Sequence, residues 1–131
     1  MSAAAPLIVV ADDDADIVTL VSSALAKAGF EVAQASNGAD ALELLRSRSP
    51  SLAVLDVSMP ALDGLEVLRF ARSDPETADL PVILLSARAQ EADVRNGYAE
   101  GASRYMRKPF SPRELVAAVR ELLPDQADGG L

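Results

Sequence analysis

The 131-residue chain contains neither cysteine nor histidine. Without cysteine it has no disulfide, no thiol nucleophile and no thiolate metal site. Without histidine it cannot build a Ser-His-Asp triad, an imidazole zinc site or a phosphohistidine. Long apolar runs are also missing, none approaching the roughly 20 residues of a spanning helix. Residues 1–6 lack the basic segment that opens a secretory signal, and the run Leu7–Ala11 is too short for its apolar segment. These absences predict a cytoplasmic protein. Basic residues are few, 12 Lys and Arg against 20 Asp and Glu, for a net charge of −8. That balance opposes nucleic-acid binding, which needs Lys and Arg to neutralise phosphates. It is compatible with a soluble acidic surface, and with several acids converging on a metal. Any chemistry falls to carboxylates, hydroxyls, lysine and the backbone.

What is present is a regular alternation of short apolar runs and amphipathic stretches, the pattern of a parallel sheet wrapped by helices. Leu7–Ala11 reads as a buried strand, followed by helical spacing at Ile17, Val21, Ala24, Leu25 and Ala28 up to Gly29. Glu31–Ala35 is a short second strand; Asn37-Gly38 then opens a helix carrying Ala41, Leu42 and Leu45 that stops before Pro50. Leu52 to Leu55 form a third strand ending on Asp56, and a loop with Met59-Pro60 leads to a helix carrying Leu65, Leu68 and Ala71. Pro81 to Leu85 read as the fourth strand with proline at its first position. A weaker helix over 91–100 precedes Gly101 and a short strand, Arg104 to Met106. The last helix is expected to start at Ser111 as N-cap, with Pro112 at N1 and Glu114 completing a capping box. Its apolar stripe is Leu115, Val116, Val119, Leu122 and Leu123, and Pro124 should stop it.

The expected fold is α/β, a doubly wound parallel sheet, in which ligands sit beyond the carboxyl ends of the strands. The residues that follow the apolar strands are Asp12-Asp13-Asp14, Asp56, Ser86 and Lys108. Four elements far apart in sequence thus deliver acids, a hydroxyl and an ammonium to one rim. Crowded carboxylates repel, and a bound cation relieves them. Asp12, Asp13 and Asp56 offer the hard oxygens that Mg2+ prefers. A carboxylate can also be a nucleophile toward phosphorus, with Lys108 and Ser86 meeting phosphoryl oxygens. Taken singly, each residue has a plainer role. Asp14 and Asp16 suit a helix N-terminus better than a metal, Ser86 a turn, Lys108 a solvated charge, and Met59-Pro60 with Asp63-Gly64 turn chemistry.

The segments Val9-Val10-Ala11-Asp12-Asp13-Asp14, Leu55-Asp56-Val57-Ser58-Met59-Pro60 with Asp63-Gly64, Leu84-Leu85-Ser86-Ala87 and Lys108-Pro109-Phe110 resemble the receiver domains of two-component response regulators. The resemblance runs from about Leu7 to Leu123. It implies a flavodoxin-like five-stranded sheet of order 2-1-3-4-5 with five helices, a flexible N-terminus over 1–6, a receiver domain over 7–123 and a disordered tail or linker start over 124–131. It implies that Asp56 accepts a phosphoryl group from a sensor histidine kinase or phosphotransfer protein. Mg2+ would be held by Asp13 directly, by Asp12 mainly through water, by Asp56 and by the backbone carbonyl of Ser58. Ser86, Ala87 and Lys108 would meet the phosphoryl group, with a cis bond between Lys108 and Pro109. Ser86 and Tyr105 would be the switch pair, acting on an output domain or partner protein. The fourth helix, fifth strand and fifth helix would form the responding face, and a possible homodimer would use it. Ala11, where a larger aliphatic is usual, and Ser86, where threonine is common, are mild departures.

Two other functions fit less well. Aspartate-nucleophile phosphatases of the haloacid dehalogenase type place Asp-x-Asp after the first strand and carry a cap; here Asp56 follows the third strand and Ser58 occupies the second-acid position. A degenerate, phosphorylation-independent binding module would usually lack the acid pair, the acceptor or the lysine, and all are present. No glycine-rich nucleotide motif occurs.

Overall fold

The structure, a computed structural model, describes residues 5–87 and 90–123. Ten elements alternate strictly: β1 (Leu7–Ala11), α1 (Ala15–Lys27), β2 (Glu31–Ala35), α2 (Gly38–Arg48), β3 (Leu52–Asp56), α3 (Gly64–Ser73), β4 (Val82–Ser86), α4 (Glu91–Ala99), β5 (Arg104–Arg107) and α5 (Pro112–Leu122). All strand pairings are parallel, in the order β2-β1-β3-β4-β5. The expectations for segments 1–4 and 124–131 lie outside the described residues.

Burial explains the two kinds of strand sequence. β3 and β4 are buried at every position and β1 at all but its first, so each is apolar, as a strand covered on both faces must be, except where β3 and β4 end on the buried polar residues Asp56 and Ser86. The edge strands β2 and β5 carry Glu31, Gln34, Arg104 and Arg107 instead, charges and polar groups that protect an open edge. Strand alternation divides the core in two. Val9, Ala11, Leu55 and Leu84 pack with Leu42, Leu45, Val67 and Leu68 of α2 and α3 on one face. Ile8, Val10, Val54, Ile83 and Leu85 pack with Val21, Leu25, Leu115 and Val119 of α1 and α5 on the other.

Helix ends are set largely by side chains. Asp14 caps α1, accepting from Asp16 N–H at 2.9 Å and Ile17 N–H at 3.4 Å. Asp16 lies in the first turn, where a carboxylate complements the helix dipole. Asn37 caps α2 through Asp40 N–H. At α5 Ser111 accepts from Glu114 N–H at 3.1 Å with Pro112 in the first turn. The full reciprocal box expected there is found instead at α3, where Asp63 and Glu66 each accept from the other's backbone N–H. In sequence Asp63-Gly64 reads equally well as a turn, which conceals the α3 box. Pro81 also falls just before β4 rather than in it; lacking an N–H, it contributes only its carbonyl, which accepts from Ala53.

Candidate functional site

The strand order reverses between β1 and β3, since the chain passes from β1 outward to β2 and returns on the other side. At the carboxyl edge of this point, in an open α/β sheet, ligand crevices form. Asp12 follows β1, Asp56 ends β3, Ser86 ends β4 and Lys108 follows β5. The four rim residues named from sequence therefore come to one edge.

Their contacts are tight. Lys108 Nζ lies 2.8 Å from Asp12 Oδ2 and 3.1 Å from Asp56 Oδ1. Asp12 is 1% exposed and Asp56 4%, whereas Asp13 is exposed. Asp12 Oδ1 accepts from Asp14 N–H at 3.0 Å. The buried Oδ2 is ion-paired with the ammonium but receives no well-directed hydrogen bond. Ligand oxygens of Asp12, Asp13 and Asp56 all lie within 4.8 Å of one another. Three carboxylates against one ammonium leave two negative charges when all are ionised. A divalent cation matches that residue of charge, and the all-oxygen donor set suits Mg2+. On this count the residues present fit the ion.

Electrostatics set Asp56 apart. Burial is the main cause that pushes its carboxyl up to about 6; the nearby charge of Asp12 adds to this, while Lys108 pulls the other way. Burial works to lower the Lys108 ammonium, but its contacts with Asp12 and Asp56 outweigh burial and hold it above the usual lysine range. An acid near 6 is mostly ionised at pH 7 and so retains a nucleophilic oxygen.

The remaining residues are placed as follows. Lys108 N–H donates to Ser86 O at 2.8 Å, and the Lys108–Pro109 bond is cis. Ser86 is 2% exposed and Ala87, just beyond β4, is exposed. Ser86 stands in register with Arg107, and Tyr105 with Leu84, so the two named switch residues are staggered along neighbouring strands. Ser58 shares a cleft with Asp13, Val57, Met59, Pro60 and Asp63. A second cleft beside the acid pair is lined by Thr19, Gln34 and Ser36, polar residues not singled out from sequence because they lie on surface positions without a motif.

Gly64, which in sequence reads as a turn residue, lies directly against the end of β3. Its N–H donates to Val57 O at 2.9 Å, and a Cβ there would lie 2.3 Å from Asp56 O. Only glycine lets the start of α3 press this closely on the backbone behind Asp56. The Asp-Gly pair after an isolated strand-end acid was the available signal.

The family described as response regulator receiver domain matches residues 8–120. Among curated relatives, the chain is 44% identical over 123 residues to the transcriptional regulatory protein GltR of Pseudomonas aeruginosa, covering 94% of this chain and 51% of that protein. It is 42% identical to the alkaline phosphatase synthesis transcriptional regulatory protein PhoP of Bacillus subtilis, covering 88% of this chain and 48% of that protein. The chain thus spans about half the length of these relatives. Among solved structures, the Francisella response regulator 1452 receiver domain superposes with a TM-score of 0.86 at 32% identity, over 92% of this chain and 98% of that one. The Vibrio cholerae chemotaxis protein CheY4 gives 0.85 at 28% identity, over 91% and 99%. With its strand order, its rim of acids and lysine, and a family match over nearly all described residues, this chain belongs to the response-regulator receiver domains, a signalling family.

Proposed function

We propose that Asp56 is the phosphoacceptor of a two-component phosphorelay. The observation that carries this reading is the Lys108 ammonium bridging Asp12 and Asp56 at the mouth of the sheet. A cation so placed meets the charge of an incoming phosphoryl group, and phosphoryl transfer needs chiefly positioning and charge neutralisation. An Asp56 carboxylate oxygen attacks phosphorus of a phosphohistidine on a sensor kinase or phosphotransfer protein. The P–N bond breaks, its electron pair stays on the imidazole nitrogen, and an acyl phosphate remains on Asp56. When bound, Mg2+ would neutralise phosphoryl oxygens, held by Asp12, Asp13, Asp56 and the Ser58 carbonyl. Lys108 then pairs with one phosphoryl oxygen, and the Ser86 hydroxyl and Ala87 N–H meet others.

The added phosphoryl group carries roughly −1.5 to −2 charges and three acceptor oxygens. Ser86 turning toward it, with Tyr105 following, is the proposed switch. A hydrogen bond to a charged oxygen contributes about 1.5–3 kcal/mol, and a shift from 1:99 to 99:1 needs roughly 5.5 kcal/mol. Lys108 and loop reordering supply the difference. The face of α4, β5 and α5 signals to an output domain or partner, and is the surface for any homodimer. The relatives' names support a link to transcription, while the acidic balance argues that this domain does not itself hold nucleic acid. Among the described residues no helix is long and apolar enough to cross a membrane, consistent with a cytoplasmic relay.

Incubation with phosphoramidate and Mg2+ tests the reading. Intact mass should rise by one phosphoryl group in wild type and not in Asp56→Ala. Continued labelling of the variant at another acid would sink the assignment.

A further inference from the structure

Tyr105 is held by α4 in two ways that the acceptor chemistry leaves unexplained. Its ring lies so close to Gly97 that a Cβ on residue 97 would stand 2.7 Å from Cδ2 and 3.0 Å from Cε2. Its backbone N–H donates to the Tyr98 hydroxyl at 3.1 Å. β5 is an edge strand, with no neighbouring strand among the described residues on its outer side to take up N–H groups; the Tyr98 hydroxyl takes up this one. The needs of α4 account for neither residue. Glycine is among the poorest formers of a helix interior, and Tyr98 is 44% exposed, so its ring does not fill the core.

The same end of α4 is fastened to α3. Arg69 Nε and Nη2 donate to the two carboxylate oxygens of Glu100 at 2.9 and 3.2 Å. Arg72 Nε and Nη2 both donate to Gly101 O, at 3.1 and 2.8 Å. At the opposite end the N-cap Gln90 makes no side-chain cap bond. Residues 97 and 98 therefore grip Tyr105 from the anchored half of a helix whose other end is uncapped.

We propose that Gly97 and Tyr98 are positioning residues for Tyr105: the bare backbone of one admits the ring, and the hydroxyl of the other holds the N–H. This inference rests on Tyr105 being the side chain that responds to phosphorylated Asp56. Together the two contacts set the resting place of Tyr105: Gly97 leaves room for the ring, and the Tyr98 hydroxyl fixes the backbone from which the ring turns. Weakening the grip raises the share of molecules already in the responding arrangement, as any two-state equilibrium demands.

Tyr98→Phe keeps the ring and removes the hydroxyl. The chain has only two tyrosines, so in this variant every tyrosine-ring resonance belongs to Tyr105. Amide hydrogen exchange at Tyr105 should be roughly two- to tenfold faster than in wild type, the factor for one neutral hydrogen bond. Its ring resonances, without any phosphoryl mimic, should move toward those of wild type with beryllofluoride and Mg2+. Labelling of Asp56 by phosphoramidate should match wild type in stoichiometry. Gly97→Ala should displace the same resonances; if it fails to fold, Tyr98→Phe alone decides. Unchanged exchange at Tyr105 would overturn the proposal. So would a loss of stability with ring resonances left in place, which is what a merely structural tyrosine predicts. If wild type takes no label on Asp56, the phosphoacceptor reading fails, whereas the exchange comparison still judges the grip on Tyr105.

Discussion

The carbonyl oxygen of Asp56 lies 2.3 Å from the point where a side chain on Gly64 would begin. Gly64→Ala must therefore push α3 away from the end of β3. Overpacking of this kind destabilises by about 1–3 kcal/mol. Urea unfolding should show that loss, and labelling of Asp56 should slow because the loop carrying Ser58 is displaced with α3. Unaltered stability would mean that the backbone there yields without effort.

Asp56 should make stability fall as pH rises through the acid range. The unfolded carboxyl loses its proton near the ordinary 3.8 and the folded one near about 6. Between those values the native state binds more protons, so the stabilising contribution is full below about 4 and is lost by about pH 7. The gap corresponds to at most on the order of 3 kcal/mol. In metal-free buffer, Asp56→Asn should thus match wild type near pH 4 and exceed it near pH 7. A difference between the two that is flat across this range would contradict the raised acid.

Lys108→Met should raise the Asp56 carboxyl further, because the lysine is the contact that lowers it. Carbon-detected NMR titration of the Asp56 side chain reads this directly. The variant should also be labelled more slowly at neutral pH, having fewer ionised nucleophiles and no cation for the phosphoryl oxygens.

Asp12 and Asp13 should part company in metal binding. Asp12 already spends Oδ1 on Asp14 N–H and Oδ2 on Lys108, while Asp13 is exposed. Calorimetry should find that Asp13→Asn weakens Mg2+ binding more than Asp12→Asn does. Asp12→Asn should instead show its larger effect in unfolding, since it disturbs a buried ion pair. Equal losses of affinity would remove the distinction between direct and water-mediated ligands.

The rim was legible in the sequence because central strands end at or one residue past their apolar runs, which places Asp12, Asp56 and Ser86, while Lys108 directly follows the short strand β5. The sheet was legible for the same reason, with fully apolar runs marking central strands. What escaped depends on distances between elements rather than on order along the chain. Gly64 and Gly97 look like ordinary glycines until the backbone of Asp56 or the ring of Tyr105 is brought against them. Tyr98 looks like a surface residue until β5 lies beside it. Ser111 and Asp63 both suit a capping box, and the orientation of Glu66, not its presence, decided where the reciprocal bond formed.

The two halves of the core share no side chain. The sheet separates them as a partition separates rooms, so a change in packing under α1 and α5 meets different neighbours from one under α2 and α3. Tyr105 packs with the second group, while Met106, the next residue, packs with the first. Neighbouring residues of one edge strand thus report on opposite rooms, and repacking in one reaches the other only through the strands between them.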